Sequence, residues 1–182
     1  MENKNITKTM SKLPSINRFN IKDNINKIIS GGQTGVDRAA LDVALKYNIR
    51  HGGWCPKGRL SENGKIPLFY NLQETCSSEY SERTKQNIID SDATLIIVPK
   101  LPLPIEITDG TLLTIEICKK LNKLYLVIDV TIDDENSIND IKSWIVDNNI
   151  KLLNIAGPRE SQSNNIYFSA YEYITKLIRL SN

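Results

Sequence analysis

The chain has 182 residues, which fits one domain with a substantial core and is short for two. Hydrophobic residues make up 40% and charged residues 24%, as in an ordinary globular protein, and no apolar run approaches the roughly 18 to 20 residues of a membrane span. The formal net charge is +2, but residues 1–26 hold five Lys or Arg against two acids and leave the remainder at −1, so the charge balance gives no argument for nucleic acid. A basic tail of this size is usually a solvated extension, and an electrostatic tether to RNA or a membrane is the alternative.

The first predicted segment is an extension over residues 1–26. It is rich in Asn, Lys, Ser and Ile without sustained periodicity, which predicts a flexible, basic tail that pairs weakly near 19–21. No apolar stretch follows its lysines as a secretory leader requires, and the three cysteines of the chain lack the pairing of a disulfide or zinc framework. We therefore expect a soluble, cytoplasmic protein with its ligand-binding domain at 27–182 and without a metal site.

The domain begins with a strand, a glycine turn and a helix. Lys27–Ser30 is a short apolar strand, and apolar residues recur at helical spacing from Val36 to Leu45. The run 93–98 is continuously apolar and stops at Pro99, which predicts a strand buried on both faces at the centre of the sheet. The other predicted strands are 48–52, 68–75, 124–130 and 151–155, the other helices are 78–90, 111–121, 138–148 and 166–180, and 53–67 is a Gly- and Pro-rich loop.

This alternation of strands and helices determines the expected fold class. It predicts right-handed βαβ units and hence an α/β protein with a doubly wound, mostly parallel sheet of about five to seven strands and helices on both faces. In such sheets ligands lie beyond the carboxyl ends of the strands. We expect a site where the loops begin, near Gly31, Gly53, Pro99 and Ala156.

The first candidate site is the loop Ser30-Gly31-Gly32-Gln33-Thr34-Gly35. Its glycines allow positive φ and have no Cβ, so backbone N–H groups can approach an anion at the N-terminus of the following helix. Thr34 caps that helix or donates to a phosphate oxygen. The spacing matches neither the dinucleotide-binding pattern nor a Walker A motif, and a tight turn without a ligand is the alternative.

Asp37 and Arg38 fall in the first turn of the same helix. An acid there complements the helix dipole, so Asp37 has a structural explanation beside a ligand role. A guanidinium is opposed by the dipole at that position. Arg38 therefore pairs with Asp37 or another acid, or it reaches a bound anion through its bidentate fork.

The loop 52–59 combines three glycines with Trp54, Lys57 and Arg59. An aromatic face and two cations so close together can cover a planar or phosphorylated ligand. Packing of Trp54 and solvation of the two cations are the structural alternative. His51 is the only histidine of the chain, which excludes a histidine-rich metal site.

Two later helices carry further candidates. Arg83 and Asn87 are four residues apart and share a helix face, a spacing that is also common in surface pairs. Segment 108–111 indicates the cap and turn before a helix. The first two turns of that helix contain the polar residues Thr111, Thr114 and Glu116.

Five segments, spread over the chain in a specific order, carry a family resemblance. They are GGQTGVDRAALD at 31–42, HGGWCPKGR at 51–59, RTKQNIIDSDATLIIV at 83–98, GTLLTIE at 110–116 and NIAGPRES at 154–161. Together they resemble the molybdenum-cofactor carrier family. That family lies within the Rossmann-like SLOG superfamily, which includes lysine-decarboxylase-like proteins, cytokinin-activating phosphoribohydrolases and nucleotide-ligand sensors. The resemblance spans about residues 27–180.

The resemblance implies a Rossmann-like fold with a cleft at the carboxyl edge of the sheet. There the first glycine loop and the loop before Gly110 would hold phosphate or pterin-phosphate groups, with the molybdenum cofactor (molybdopterin) as the carried ligand. In the phosphoribohydrolase relatives an arginine before the central strand and the glutamate of a Gly-Gly-x-Gly-Thr-x-x-Glu loop carry the hydrolysis. Arg83 matches that arginine. The chain has Thr114 where the relatives have the glutamate, and Asp109 where they offer bare glycine N–H groups.

This departure from the hydrolase motif favours binding without turnover, unless Glu116 or Asp37 replaces the missing acid. The first hypothesis is therefore a carrier or sensor of an anionic pterin- or nucleotide-type ligand. Its expected contacts are Gly31, Gly32, Gln33, Thr34, Gly35, Asp37, Arg38, Trp54, Lys57, Arg83, Asn87, Gly110, Thr111 and Thr114.

Two other hypotheses belong to different classes of protein. One is a hydrolase of a nucleotide N-glycosidic bond, with Arg83 and Glu116 as the catalytic residues. The other is an oligomeric interaction module with an empty cleft. We expect a homo-oligomer that binds a small anionic ligand and contacts neither nucleic acid nor membrane.

Overall fold

The structure of the chain is a computed structural model that describes residues 24–105, 107, 110–132 and 135–179. Its nine strands within these ranges are β1 (Lys27–Ile29), β2 (His51–Gly52), β3 (Trp54–Cys55), β4 (Leu60–Ser61), β5 (Gly64–Lys65), β6 (Gln73–Glu74), β7 (Ala93–Val98), β8 (Leu124–Asp129) and β9 (Leu152–Ala156). The helices are α1 (Val36–Lys46), α2 (Tyr80–Ile89), α3 (Gly110–Lys120), α4 (Glu135–Asp147) and α5 (Ile166–Arg179).

The central sheet has five strands in the order β2-β1-β9-β7-β8, and every neighbouring pair is parallel. The predicted doubly wound α/β fold is thus confirmed, and the predicted helix ends agree with the structure to within three residues. The prediction that 93–98 forms the sheet centre is wrong. β7 is buried along its whole length, because neighbouring strands and helices cover it, but β9 occupies the middle of the sheet.

The strand order shows how this chain relates to a common doubly wound sheet. Numbered along the chain, its five strands lie in the order 2-1-5-3-4. The common order is 3-2-1-4-5. Moving the last strand of this chain to the front converts one order into the other, so the topology is a circular permutation. β9 and the loop after it therefore take the place of the first strand and first loop of an unpermuted chain.

Helices cover both faces of the sheet. On one face α1 and α4 pack against α5, and their apolar residues join Ile28, Leu95 and Leu153 of the strands in the main core. On the other face α2 packs against α3. Right-handed crossovers explain this division, because the connections β1-α1-β2 and β7-α3-β8 run in opposite directions along the sheet.

The predicted strand at 68–75 is wrong except for its end, where β6 pairs with β3. The preceding residues instead wrap around the side chain of Arg59, whose guanidinium donates hydrogen bonds to four backbone carbonyls. These belong to Ile66 (3.0 Å), Pro67 (2.8 Å), Tyr70 (3.0 Å) and Leu72 (3.1 Å). Arg59 is buried, so it is neither the solvated cation nor the ligand contact that its loop suggested.

Most of the predicted N-terminal extension lies outside the described residues, including 19–21. Of its last residues, Ile25 is buried in the main core and Asn26 donates from its backbone to the carbonyl of Lys151. None of the described helices is long and apolar enough to cross a membrane.

Candidate functional site

A small crevice of about 30 Å³ opens at the carboxyl edge of the central sheet. It lies where the chain leaves β9 toward one face and β7 toward the other, which is the topological switch point at which doubly wound proteins bind ligands. Loops and helices from four parts of the chain meet there. The lining residues are Gly31, Asp37, Arg83, Thr84, Asn87, Gly110, Thr114, Asn154, Ala156 and Gly157.

An ion pair between Arg83 and Asp37 forms one wall of the crevice. Nη1 of Arg83, on α2, lies 2.7 Å from Oδ2 of Asp37, on α1, and their side chains are 15% and 4% exposed. Gly31 makes the contact possible, because a Cβ there would lie 1.8 Å from Nη1 and 2.8 Å from Oδ2. The guanidinium therefore packs directly against the backbone of the first glycine loop.

The remaining edge of the Arg83 guanidinium has no protein partner. Its Nε is buried without a hydrogen bond, and none of the described residues accepts from Nη2. The hydroxyl of Thr111, which is 1% exposed and follows Gly110 at the start of α3, is likewise buried without a partner. Buried polar groups are almost always hydrogen-bonded in folded proteins, so the Nε of Arg83, which lines the crevice, indicates a missing acceptor there. The Thr111 hydroxyl and that of Thr175 on α5, which is also buried without a partner, lie outside the crevice lining.

Asn87 and Trp54 are occupied in holding the loop after β2. The side chain of Asn87 accepts from the backbone N–H of Trp54 at 2.7 Å and donates to its carbonyl at 3.0 Å. The indole Nε1 of Trp54 donates to Asp90 at 2.7 Å, and the ring does not line the crevice. Lys57 is exposed and also lies outside the lining. Of this group, the structure brings only Asn87 to the crevice.

The glycine loop is held from both sides. Gly32 and Gly35 have φ of 75° and 73°, which favours glycine, as expected. The carbonyl of the Gln33 side chain accepts from the backbone of Thr34 and of Glu62, both at 3.0 Å. The loop is thus tied to the hairpin of β4 and β5.

Thr34 does not cap α1, so that alternative is wrong. The N-cap residue is Gly35, without a side-chain hydrogen bond. The Thr34 hydroxyl instead donates to Glu62 and accepts from the backbone N–H of Glu160 at 3.2 Å. The loop after β9 closes over the start of α1, where Val36 donates from its backbone to the carbonyl of Pro158 at 3.2 Å.

Arg38 takes neither of the roles that the sequence suggested at the crevice. Its Nη2 and Nε donate to the carbonyl of Gly32 at 3.1 and 3.4 Å, and its guanidinium lies 5.5 Å from the centre of the Tyr70 ring. Asp37 pairs with Arg83 instead. Arg38 points away from the crevice and lines a second, larger cavity.

This second cavity, called the outer cavity below, has a volume of about 590 Å³. Asp42 lies in its wall and accepts hydrogen bonds from the hydroxyls of Tyr70 at 2.5 Å and Tyr167 at 2.8 Å. Burial and the bond to Asp42 raise the pKa of both tyrosines, so they stay neutral donors. The lining residues are Thr34, Gly35, Arg38, Asp42, Glu62, Asn63, Tyr70, Glu160, Ser161, Tyr167 and Phe168.

Hydrogen bonds hold the Glu62 carboxylate ionised in the wall of the outer cavity. Burial acts to raise its pKa, but donors from Ser161 and Thr34 bring that pKa below its ordinary value. Glu160 accepts from the backbone of Asn165 at 2.6 Å and of Tyr167 at 3.0 Å. Both acids therefore fix the loop after β9 in place.

Among the described residues, the start of α3 places no carboxylate in the crevice lining. The Thr114 hydroxyl donates to the carbonyl of Gly110 at 2.8 Å, and Glu116 is exposed and outside the crevice lining. Thr108 and Asp109, on which part of the argument against hydrolysis depends, lie outside the described residues. Within those residues, no three His, Cys, Asp or Glu side chains are grouped so as to hold a metal ion.

Comparison with known families agrees with this topology. A model of the circularly permuted YpsA family, a SLOG family, matches residues 28–178. The chain belongs to this family. The permuted strand order of the sheet agrees with the circular permutation for which this family is named. The resemblance to SLOG proteins seen in the sequence is confirmed.

Among solved structures, this SLOG protein is similar to a protein of Syntrophus aciditrophicus that is named as a molybdenum carrier protein. The two sequences are 44% identical, the match covers 86% of this chain and 96% of the other, and the TM-score is 0.79. None of the curated proteins matches the chain.

Sequence reasoning missed Thr84, Asn154, Ala156 and Gly157 as contacts in the crevice lining and most residues of the outer cavity. Asp42 is four residues after Arg38, so the two share the outward face of α1. That spacing was the available signal. The convergence of Tyr70 and Tyr167 on Asp42 joins residues 28 and 125 positions apart, which no local pattern reveals.

Proposed function

We propose that this SLOG protein binds or carries a small anionic ligand of pterin or nucleotide type and that the crevice holds its anionic group. The observation that carries the proposal is the free edge of Arg83, whose Nε is buried without a partner. A guanidinium presents Nε and Nη2 as a fork that fits two oxygens of a phosphate or a similar oxyanion. The hydroxyl of Thr111, which follows Gly110 of the crevice lining but does not itself line the crevice, is a further buried group without a partner.

Asp37 orients this fork without blocking it. Because Nη1 is the one guanidinium nitrogen that donates to Asp37, this ion pair fixes the guanidinium over Gly31 and leaves its opposite edge for a ligand. A hydrogen bond to a charged group contributes about 1.5 to 3 kcal/mol, so two such bonds are enough for selective binding of an oxyanion. The preformed geometry also reduces the conformational entropy that binding removes.

The size of the crevice limits which part of a ligand it takes. A volume of about 30 Å³ is about one water molecule's share of liquid, so the crevice can receive the oxygens of an oxyanion that face Arg83, and it is far smaller than the roughly 300 Å³ or more of a pocket for a whole cofactor. The phosphate of a pterin cofactor, a nucleotide phosphate and molybdate all fit this chemistry. The name of the Syntrophus protein supports molybdenum-cofactor carriage, which we propose together with a cytoplasmic, homo-oligomeric state.

Binding without turnover is favoured over hydrolysis of an N-glycosidic bond. Asp37 is the carboxylate among the described lining residues, and its Oδ2 is already engaged by Arg83 Nη1 and by the backbone N–H of Gln33. Glu116 is exposed. Nucleoside monophosphates incubated with the protein between pH 5 and pH 9 should be recovered intact; release of free base would establish the hydrolase instead.

Titration calorimetry with molybdate, inorganic phosphate and a pterin or nucleoside monophosphate tests the anion site. Arg83→Gln alone would leave Asp37 buried and unpaired, so the informative variant is the double change Asp37→Asn with Arg83→Gln. We expect it to remain folded and to lose about tenfold or more in affinity for the anions. Lys85→Gln is the matched control, because Lys85 is an exposed cation two residues from Arg83 on the same helix.

The control separates a local contact from an effect of net charge. If Lys85→Gln weakened binding as much as the double variant, the anions would be attracted by the overall charge of the surface. If neither wild-type protein nor control bound any of these anions, the proposed anion site would be wrong.

A further inference from the structure

The outer cavity is a second concave site beside the crevice. It shares no lining residue with the crevice, and its volume of about 590 Å³ is within the range of pockets for small organic ligands. Its walls come from α1, the β4-β5 hairpin, the loop after β9 and the start of α5. The anion site proposed for the crevice uses none of the residues that line these walls.

One wall presents a donor next to an acceptor. Asp42 accepts one tyrosine hydroxyl on each carboxylate oxygen, and an ionised carboxylate has about four acceptor positions, so each oxygen can accept once more. Arg38 is anchored on the carbonyl of Gly32 through Nε and Nη2, and no described residue accepts from its Nη1. A rigid pair of acceptors therefore lies one helical turn from a free donor.

Aromatic rings face this polar wall. The ring of Tyr70 lies under the Arg38 guanidinium, and Phe168 lines the cavity while remaining 65% exposed. The Phe168 ring contacts the ring of Tyr167 edge-on, with 5.2 Å between their centroids, and leaves most of its surface open to the cavity side and to solvent. The open face of this ring can stack against a flat ligand, and such stacking does not depend on which planar heterocycle is bound.

We propose that the outer cavity binds a planar heterocycle through a 2-amino-4-oxopyrimidine edge, the edge that guanine and pterins have in common. The ring N–H and the 2-amino group would donate to the two oxygens of Asp42, and the keto oxygen would accept from Nη1 of Arg38. Adenine presents a ring acceptor where this wall needs a donor, so it is excluded by repulsion from Asp42. The inference shares its ligand class with the proposed function and rests on it in that respect, but its residues are separate.

Neopterin and guanosine are the probes, since neither carries a phosphate that could engage the crevice. Pterin fluorescence and titration calorimetry measure their binding, and adenosine is the chemical control. We expect both probes to bind the wild-type protein at least tenfold more tightly than adenosine does.

Three variants place the binding in the outer cavity. Asp42→Asn removes one of the two acceptors and the charge, and should weaken neopterin and guanosine about tenfold or more. Phe168→Ala removes a ring that is exposed, so the fold is retained, and should weaken them about tenfold through lost stacking. Lys85→Gln, which changes an exposed cation outside the lining of either cavity, should bind both probes like wild type.

The outcomes distinguish this inference from the proposed anion site. Absence of neopterin and guanosine binding, or equal binding of adenosine, overturns the heterocycle site whatever the anions do. Wild-type affinity in both Asp42→Asn and Phe168→Ala overturns it as well. If the wild-type protein binds neopterin and guanosine but neither molybdate nor phosphate, the anion site is rejected and the heterocycle site stands.

Discussion

Two arginines of this protein, Arg59, which is buried, and Arg83, which is partly buried, have opposite surroundings. Arg59 donates to four backbone carbonyls and holds the loop before β6 in shape. Arg83 has one partner, Asp37, and keeps a buried Nε without an acceptor. Both residues lie in the segments that carry the family resemblance, and although the resemblance singles out Arg83, no local pattern reveals that Arg59 is fully satisfied by backbone carbonyls.

The difference shows that hydrogen-bond satisfaction separates a structural cation from a binding cation better than burial does. A buried donor without a partner destabilises a fold by about 1 to 3 kcal/mol, so a protein retains one where a ligand or water supplies the acceptor. Arg59 has no such vacancy. We therefore expect its substitution to affect stability, and changes around Arg83 to affect binding.

The largest expected effect is on stability at Arg59. Arg59→Met leaves four carbonyls without their donor and should lower the free energy of unfolding by about 3 to 5 kcal/mol. Urea denaturation followed by circular dichroism measures the change. Lys57→Met, an exposed cation two residues earlier, should stay within about 0.5 kcal/mol of wild type. Equal stability of the two variants would contradict the structural role assigned to Arg59.

The next effect is on binding at Gly31. Gly31→Ala places a Cβ where the Arg83 guanidinium lies, and because the displaced atoms end a flexible side chain, the fold should survive. We expect a loss of about 1 kcal/mol or less in stability and a roughly tenfold lower affinity for molybdate or phosphate. Calorimetry on the variant checks this. Wild-type affinity would mean that the position of the guanidinium does not matter.

The smallest effect is expected at Thr111. Its hydroxyl is buried without a partner, so Thr111→Val should leave stability unchanged or raise it by up to about 1 kcal/mol, while anion affinity falls a few-fold. The matched control for stability is Thr114→Val, which removes a hydroxyl that donates to the Gly110 carbonyl and should lower the melting temperature. A destabilised Thr111→Val variant would indicate an acceptor within the protein.

The sequence predicted the helices well, because their apolar spacing is local. It failed for the segment before β6, where residues 68–75 have strand-like composition but follow the geometry imposed by Arg59. It also misplaced the sheet centre. The apolar run of β7 signals burial on both faces, yet the position of a strand among its neighbours depends on the permuted connection of β9.

The candidate site was predictable only in part, for a similar reason. Gly31, Asp37, Arg83 and Gly110 were recognised and do meet, since loops at the carboxyl ends of parallel strands converge. That Arg83 rather than Arg38 would pair with Asp37 depends on a contact 46 residues apart in the chain. The orientation of Trp54 toward Asp90 likewise depends on packing between a loop and the end of α2.

The most direct test follows the two arginine Nε–H groups by nuclear magnetic resonance during titration with molybdate and with phosphate. The Arg83 Nε–H, which has no protein acceptor, should shift strongly and become protected from exchange with water as the anion binds. The Arg59 Nε–H, which donates to Ile66 at 3.0 Å, should stay in place as the internal control. An Arg83 resonance that does not move up to the highest anion concentration would contradict the account.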